Sequence, residues 1–394
     1  MKKVIALLLS LAMVLTLAAC GSDPAANNGG NKPNSAGDPS GAGKKTVKIG
    51  VLVADVSGEE ALGFANYYQN YIQEHYNVEF SYTEQLADAA AEKSAIEKFA
   101  AQGFDAVISF AASDRATQLQ TCIDNKLYYA VASGMLDDGQ YEQFKDSEYF
   151  VGQIGPSMDT EYEAGYAMGE YFAQQGAKTI AMYGAFIPNP MHVYRAAGVL
   201  AGIGATYGGA SDKDAIVGQI FADQGIDLQK VESNGVELVG YFQGFGDTTF
   251  DELFACIGAQ PDAFLSVGMA TTFFTQNLND AGISFSDIDS FTSANDEAME
   301  NGKLVYLAGK YSSSIGPLFA AVMNAVNGTP VRNADGSALS LSQDYLVATD
   351  AASFQQYAAA DQGDSPIFSQ DVLDTLMGSV SYDEFAAAVA ADRG

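Results

Sequence analysis

From Val47 onward the chain alternates short apolar runs with longer stretches in which apolar residues recur at helical spacing. The first run, 47–53, is rich in β-branched residues and precedes a helical stretch from about Glu60 to Glu74. Residues 78–82 alternate apolar and polar. Asp88 then opens a helix whose Ile96, Phe99 and Ala100 share a face, and Gly103 ends it. Runs at 106–110 and 128–132 flank a helix over 116–125. The series then restarts: strand 149–151, helix 162–175 stopped by Gly176, strand 179–183, and helix 194–204. Strand 236–242, helix 250–257, strand 263–267 and helix 271–281 stopped by Gly282 follow. Continuous apolar strands separated by amphipathic helices predict βαβ units with mainly parallel sheets. Two such series predict an α/β fold of two doubly wound, Rossmann-like lobes. Ligands of such sheets sit beyond the carboxyl ends of the strands.

The first twenty residues follow another pattern. Lys2 and Lys3 precede an apolar run from Val4 to Leu17, and Leu17-Ala18-Ala19-Cys20 closes it. A basic start, a short apolar stretch and small residues at its end make a secretory signal. The run is too short to span a bilayer core of about 30 Å as a helix. The Leu-Ala-Ala-Cys ending resembles a bacterial lipobox, which implies that residues 1–19 are a cleaved signal and that Cys20 is lipidated. Residues 20–45, mostly Gly, Asn, Ser, Pro and Ala, then read as a flexible linker. The expected location is the extracytoplasmic face of the cell membrane, reached through the lipid alone.

The balance of 19 Lys and Arg against 49 Asp and Glu, a formal charge of −30, weighs against nucleic acid or anionic lipid as a partner. The two remaining cysteines, Cys122 and Cys256, fall within helical patterns and read as buried thiols.

The loops at strand ends are the places to look for chemistry. They are 54–57 with Asp55 and Ser57, 111–114 with Ser113 and Asp114, Ser133-Gly134, Gly184-Ala185-Phe186, Gly244-Phe245-Gly246, and Gly268-Met269. No phosphate-cradling glycine motif follows the first strand. There are two histidines, His75 and His192, no Gly-x-Ser-x-Gly elbow and no His-Glu-x-x-His. The carboxylate pairs Glu59-Glu60 and Asp137-Asp138 are sequence neighbours and do not make a glycosidase pair. Asn333-Ala-Asp335-Gly336 lacks the first ligand of a calcium loop, since Val331 stands there. Small polar loops without a catalytic set suit hydrogen bonding to a neutral polar solute; no enzyme activity and no cofactor are expected.

Three stretches carry a resemblance. They are Ala95-Ile-Glu-Lys-Phe-Ala-Ala-Gln-Gly-Phe-Asp-Ala-Val-Ile-Ser with Ser113-Asp114 after it, Arg195-Ala-Ala-Gly-Val, and Glu300-Asn-Gly-Lys-Leu with Ile315-Gly316 and Asn327-Gly328 downstream. In order and spacing, over 47–354, the chain resembles the type I periplasmic solute-binding proteins that serve ribose and related sugar ABC importers. That resemblance implies two lobes joined by a three-segment hinge, with crossovers near Ile154-Gly155, Tyr311 and Ser340. The first lobe would be 46–154 plus about 311–340, and the second 155–310 plus about 341–394. It further implies a small solute, a sugar first of all, held between lobes that close on it and passed to permease subunits.

Carried over residue by residue, the resemblance makes Arg195 the sugar-contacting arginine. Gly268-Met269 replaces the family's Asn-Asp, Ser133 its aspartate after the fourth strand, and Lys310 the glutamine of the late hinge strand. The family's paired aromatics fall near Glu60 and Ala61. The expected contact set is Arg195, Asp55, Ser57, Ser113, Asp114, Ser133, Phe245, Gly268, Met269, Lys310 and Tyr311, with Phe186 a further aromatic in a chain that has no Trp. Two alternatives keep the fold. Glu163-Ala-Gly-Tyr-Ala-Met-Gly and Arg195-Ala-Ala-Gly-Val-Leu-Ala-Gly also resemble the nucleoside-binding basic membrane lipoproteins, and a receptor could present its ligand to a sensor instead of a permease.

Overall fold

The computed structural model describes residues 45–391 apart from 188, 245 and 362–365, so Cys20, the signal, the linker and Phe245 lie outside the described residues. Its first half-sheet is built from β1 (Val47–Leu52), β2 (Val78–Tyr82), β3 (Ala106–Ser109), β4 (Tyr128–Ala132) and β5 (Phe150–Gly155). The second comprises β6 (Thr179–Tyr183), β7 (Glu237–Phe242), β8 (Ala263–Ser266), β9 (Ser284–Ser290) and β10 (Leu304–Lys310). Late in the chain β11 (Leu339–Ser342) joins the first sheet and β12 (Leu346–Ala348) the second. The two six-stranded orders, β2-β1-β3-β4-β5-β11 and β7-β6-β8-β9-β10-β12, are the same arrangement twice. All pairings within them are parallel except β10 with β12.

Helices cover both faces of each sheet, which is why the strands read as unbroken apolar runs. In the first lobe these are α1 (Glu59–Asn66), α2 (Ala89–Ala101), α3 (Arg115–Asp124) and α4 (Asp138–Phe144). The second lobe has α5 (Met158–Gln174), α6 (Pro190–Gly202), α7 (Lys213–Asp223), α8 (Thr249–Gly258), α9 (Ala270–Ala281) and α10 (Ser293–Glu300). The chain continues through α11 (Gly316–Val326), α12 (Ala351–Asp361), α13 (Gln370–Leu376) and α14 (Tyr382–Ala390). Helix starts follow their caps. Asp88 accepts Ala91 N in front of α2, and Ser381 with Glu384 forms a capping box on α14. Helix α1 runs on into a π-helical turn, Tyr67–Ile72, that the pattern did not announce. Cys122 and Cys256 are buried free thiols, one in each lobe. No helix among the described residues is long and apolar enough to cross a membrane.

The chain passes between lobes after β5, after β10 and between β11 and β12. It also passes back a fourth time, after α12. Ile367, Phe368, Leu373, Leu376 and Phe385 pack in one core with Tyr67, Leu318 and Phe319 of the first lobe. The sequence reading placed 341–394 wholly in the second lobe; only β12 and α12 of that stretch belong there, while α13 and α14 cover α11. Asn324 fixes the return, donating Nδ2 to Leu376 O at 2.8 Å and accepting Gly378 N at 2.7 Å. Asp361, the last residue of α12, accepts the backbone N–H groups of Ser312 (2.6 Å) and Ser313 (3.1 Å) just ahead of α11. Burial outweighs those donors and pushes its carboxyl up to about 6.

Candidate functional site

The carboxyl ends of β9 and β10 meet helix α1 at a cleft of about 200 Å³ between the lobes, and the end of β4 reaches Lys310 from a small adjoining pocket. Helix α1 supplies one wall with Glu59, Glu60, Leu62 and Phe64, and Ser290, Phe291, Thr292 and Lys310 supply the other. Lys310, the last residue of β10, forms an ion pair with Glu60 and donates to Ser133 Oγ at 3.2 Å. Ser133 holds a left-handed backbone conformation at the end of β4, φ 55°, which turns its hydroxyl toward that lysine.

Asp289 lies beside this group. Asn295 Nδ2 donates to its carboxylate at 3.3 Å. Burial first, and then the charge of Glu60 from the opposite lobe, raises its affinity for a proton, while Lys310 and Arg195 pull the other way. Two residues back on the same strand face, Asp287 is fully buried. Burial and the charge of Asp289 push it up to about 7, although Thr271 N (2.9 Å) and Ser266 Oγ (2.8 Å) donate to it. Ser290 Oγ is buried with no hydrogen-bond partner in the structure, and its residue lines the cleft.

Arg195 occupies a different place from the one the sequence reading gave it. Only 3% of the residue is exposed, and its guanidinium is engaged by protein groups. Nε donates to Glu161 Oε2 at 2.6 Å, Nη1 to Val267 O at 2.7 Å and Ile288 O at 3.3 Å, and Nη2 to Tyr345 OH at 2.7 Å. Tyr345 in turn donates to Glu161 Oε1 at 2.9 Å. Burial works against the charge, but Glu161 and Tyr345 outweigh it and hold the guanidinium charged. Because Tyr345 lies in the passage between β11 and β12, the network ties the hinge to the ends of β8 and β9. The sequence permits this contact through glycine: a Cβ on Gly165 would stand 2.0 Å from Arg195 O, and one on Gly198 2.0 Å from Tyr162 O. Without side chains at those points α5 and α6 pack backbone to backbone, which brings Glu161 against Arg195.

Gly268 lies over this group, its would-be Cβ 3.4 Å from Arg195 Nη1 and 3.5 Å from His192 Cε1. Met269 follows in a left-handed conformation, φ 70°, and is partly exposed. Burial, with repulsion from Arg195, pushes the His192 imidazole down to about 4 and keeps it neutral.

The other expected contacts are dispersed. Asp114 is the cap of α3, accepting Thr117 N at 2.9 Å and Thr117 Oγ1 at 2.7 Å, and those bonds lower its carboxyl. Ser113 N donates to the buried Glu92 at 3.2 Å, beneath the same loop. Asp55 is exposed and accepts Ser57 N at 2.8 Å, which closes its own turn. Tyr311 is buried, its ring parallel to Phe368 with centroids 6.4 Å apart. Phe186 stands edge-on to His192 at 6.4 Å. Of the expected set, then, Lys310 and Tyr311 line the cleft, and Ser133 is bonded to Lys310 just behind it. Glu60, Asp289 and Ser290, which join them, were not among the candidates. Among the described residues no group of three or more His, Cys, Asp or Glu is placed to hold a metal ion.

Two identical sheet orders, nearly all-parallel pairing and four passages between lobes define an architecture that solved structures share. The arabinose-transporter binding protein of Shewanella sp. ANA-3, solved with L-arabinofuranose, aligns over 80% of this chain and 94% of its own at TM-score 0.53 and 19% identity. The fold is that of a type I periplasmic binding protein. The solute-binding protein of Bacillus halodurans C-125 with bound myo-inositol covers 80% of this chain and 98% of its own, at TM-score 0.55 and 15% identity. That of Actinobacillus succinogenes 130z with bound D-allose covers 79% and 100%, at TM-score 0.58 and 13% identity. No protein-family model and no curated protein matches the sequence. In this chain Glu60, Ser290 and Lys310 line the cleft between the lobes, with Ser133 bonded to Lys310 and Asp289 beside them on β9.

Proposed function

We propose that the chain is a solute-binding protein of an ABC importer, which captures a sugar between its lobes and delivers it to permease subunits. The observation that carries this reading is the polar cleft. Carboxylates of Glu60 and Asp289 accept hydroxyls, Lys310 donates, and the buried Ser290 hydroxyl is ready to do either. Phe64, Phe291 and Leu62 offer apolar surface for the faces of a ring. Three fold neighbours were solved with arabinofuranose, myo-inositol and D-allose, which supports a polyhydroxylated ligand. Arg195 acts as the positioning residue beneath the floor, fixing Gly268 and the hinge, and no residue here is assigned a catalytic role. Lipidation at Cys20 holds the protein on the outer face of the membrane.

The test is a thermal-shift panel of pentoses, hexoses, inositols, nucleosides and amino acids. A ligand at about 100 times its Kd adds about 2.7 kcal/mol of stability, a rise on the order of 5 °C. A selective sugar response supports the proposal, whereas a response to nucleosides or amino acids alone overturns it. The anchor is tested separately: Cys20→Ser releases the protein from membranes, and retention of that variant overturns the lipid assignment.

A further inference from the structure

The first turn of α1 carries two consecutive carboxylates, and both reach the other lobe. Glu59 accepts the backbone N–H of Ser293 at 2.8 Å and the Ser293 hydroxyl at 2.6 Å. Glu60 pairs with Lys310. Helix α1 belongs to the first lobe, where Phe64 and Tyr67 at its end pack in the core. Helix α10 belongs to the second, through Ala298 and Met299. Ser293 is the first residue of α10, after the Thr292 cap. The N–H groups of a helix start have no partner within the helix and carry a partial positive charge. A carboxylate arriving from elsewhere, accepting one such N–H and a neighbouring hydroxyl, makes two charge-assisted hydrogen bonds. Lys310 stands one residue from the passage after β10, so its pair with Glu60 sits at the pivot. Glu59 and Ser293 are joined by no such covalent neighbour.

We propose that Glu59 is a closure latch: it caps α10 of the opposite lobe when the cleft shuts and faces water when it opens. The proposal rests on the reading of the two lobes as closing around a solute. Apparent affinity scales with the fraction of molecules in the closed form. A latch that favours that form tightens capture by raising that fraction. Glu59 is exposed, so salt screens the contact and its removal leaves the core of each lobe intact.

The test measures the lobe separation directly. Spin labels on Ser94→Cys in α2 and Ala255→Cys in α8, both exposed positions, report one distance across the cleft in the full chain with Cys20→Ser. Cys122 and Cys256 are buried and escape labelling. Without added solute, the short-distance population predominates at low salt. Glu59→Ala lowers the short-to-long ratio by about three- to fivefold. Ser293→Ala, which keeps the backbone donor and loses the hydroxyl, falls between the two. A distance distribution for Glu59→Ala that superimposes on that of the parent overturns the latch. The sugar reading fails by another route, through silence of L-arabinose, myo-inositol and D-allose in the thermal-shift panel. If the sugars are silent while Glu59→Ala opens the lobes, the latch stands and the ligand class does not.

Discussion

Replacing Arg195 with methionine separates a residue that touches solute from one that holds the site together. The guanidinium and Glu161 carboxylate are almost wholly buried, each side chain 4% exposed. Removing the arginine leaves Glu161 with Tyr345 as its remaining donor, and leaves Val267 O and Ile288 O without the guanidinium. Breaking one side of a buried pair costs about 3–5 kcal/mol, because the surviving charge has lost its partner. At roughly 2–4 °C per kcal/mol for medium-sized domains, the melting temperature falls on the order of 10 °C. Urea denaturation followed by circular dichroism supplies the free energies. The double variant Arg195→Met with Glu161→Leu removes both charges and recovers much of the loss, since an apolar replacement of a buried pair is often close to neutral. The double-mutant cycle then shows coupling of about 2 kcal/mol or more. An Arg195→Met protein that melts within about 2 °C of wild type yet loses its solute tenfold, about 1.4 kcal/mol, refutes this account. That outcome would restore the arginine as a direct ligand contact.

The remaining predictions concern pH, the cleft and the tail. His192 has a folded pKa of about 4 against 6.5 in the unfolded chain, so the unfolded state binds more protons between those values. Its contribution of about 3 kcal/mol is therefore complete above pH 6.5 and lost as pH falls toward 4. Asp287 runs the opposite way: its folded pKa of about 7 lies above 3.8, so its contribution is present at low pH and lost as pH rises from 3.8 to 7. Over pH 4–6.5 His192 opposes Asp287, and Asp361, pushed up to about 6, acts with Asp287. His192→Leu therefore gives a stability that falls with rising pH, and urea midpoints of that variant at pH 4.5, 5.5 and 6.5 that stay level contradict it. Asp289→Asn lowers sugar affinity tenfold or more by titration calorimetry while the melting temperature holds or rises, because one of two facing like charges is gone; undiminished affinity removes Asp289 from the site. Phe385→Ala, at a fully buried position of α14, destabilises the first lobe by about 3–5 kcal/mol in urea unfolding, and a cost under about 1 kcal/mol would mean that α14 is not part of that core.

Much of the strand and helix order was legible because parallel strands covered on both faces need continuous apolar runs, and 47–53, 106–110, 128–132, 179–183 and 263–267 supply them. Strand β9 escaped for the converse reason. Ser284–Ser290 carries Ser286, Asp287 and Ser290 in buried positions, so it does not read as a strand. Its buried Asp287 becomes tolerable once Ser266 and Thr271 N donate to it. That omission cost the site Asp289. Asp114 shows the ambiguity of single residues: an aspartate at a strand end can face a ligand or cap the next helix, and here Thr117 takes its oxygens.

The sequence by itself determined the two βαβ series, the absence of a catalytic motif and the positions of the strand-end loops, because each follows from local periodicity or residue type. Tertiary structure decided what those loops face. Whether Arg195 meets a solute or Glu161 depends on two glycines that let α5 and α6 touch. That Glu59 meets Ser293 depends on the packing of two lobes, and that 370–390 covers the first lobe depends on a fourth passage of the chain. Contacts between residues far apart in sequence leave no periodic trace, so they enter only when the chain is folded.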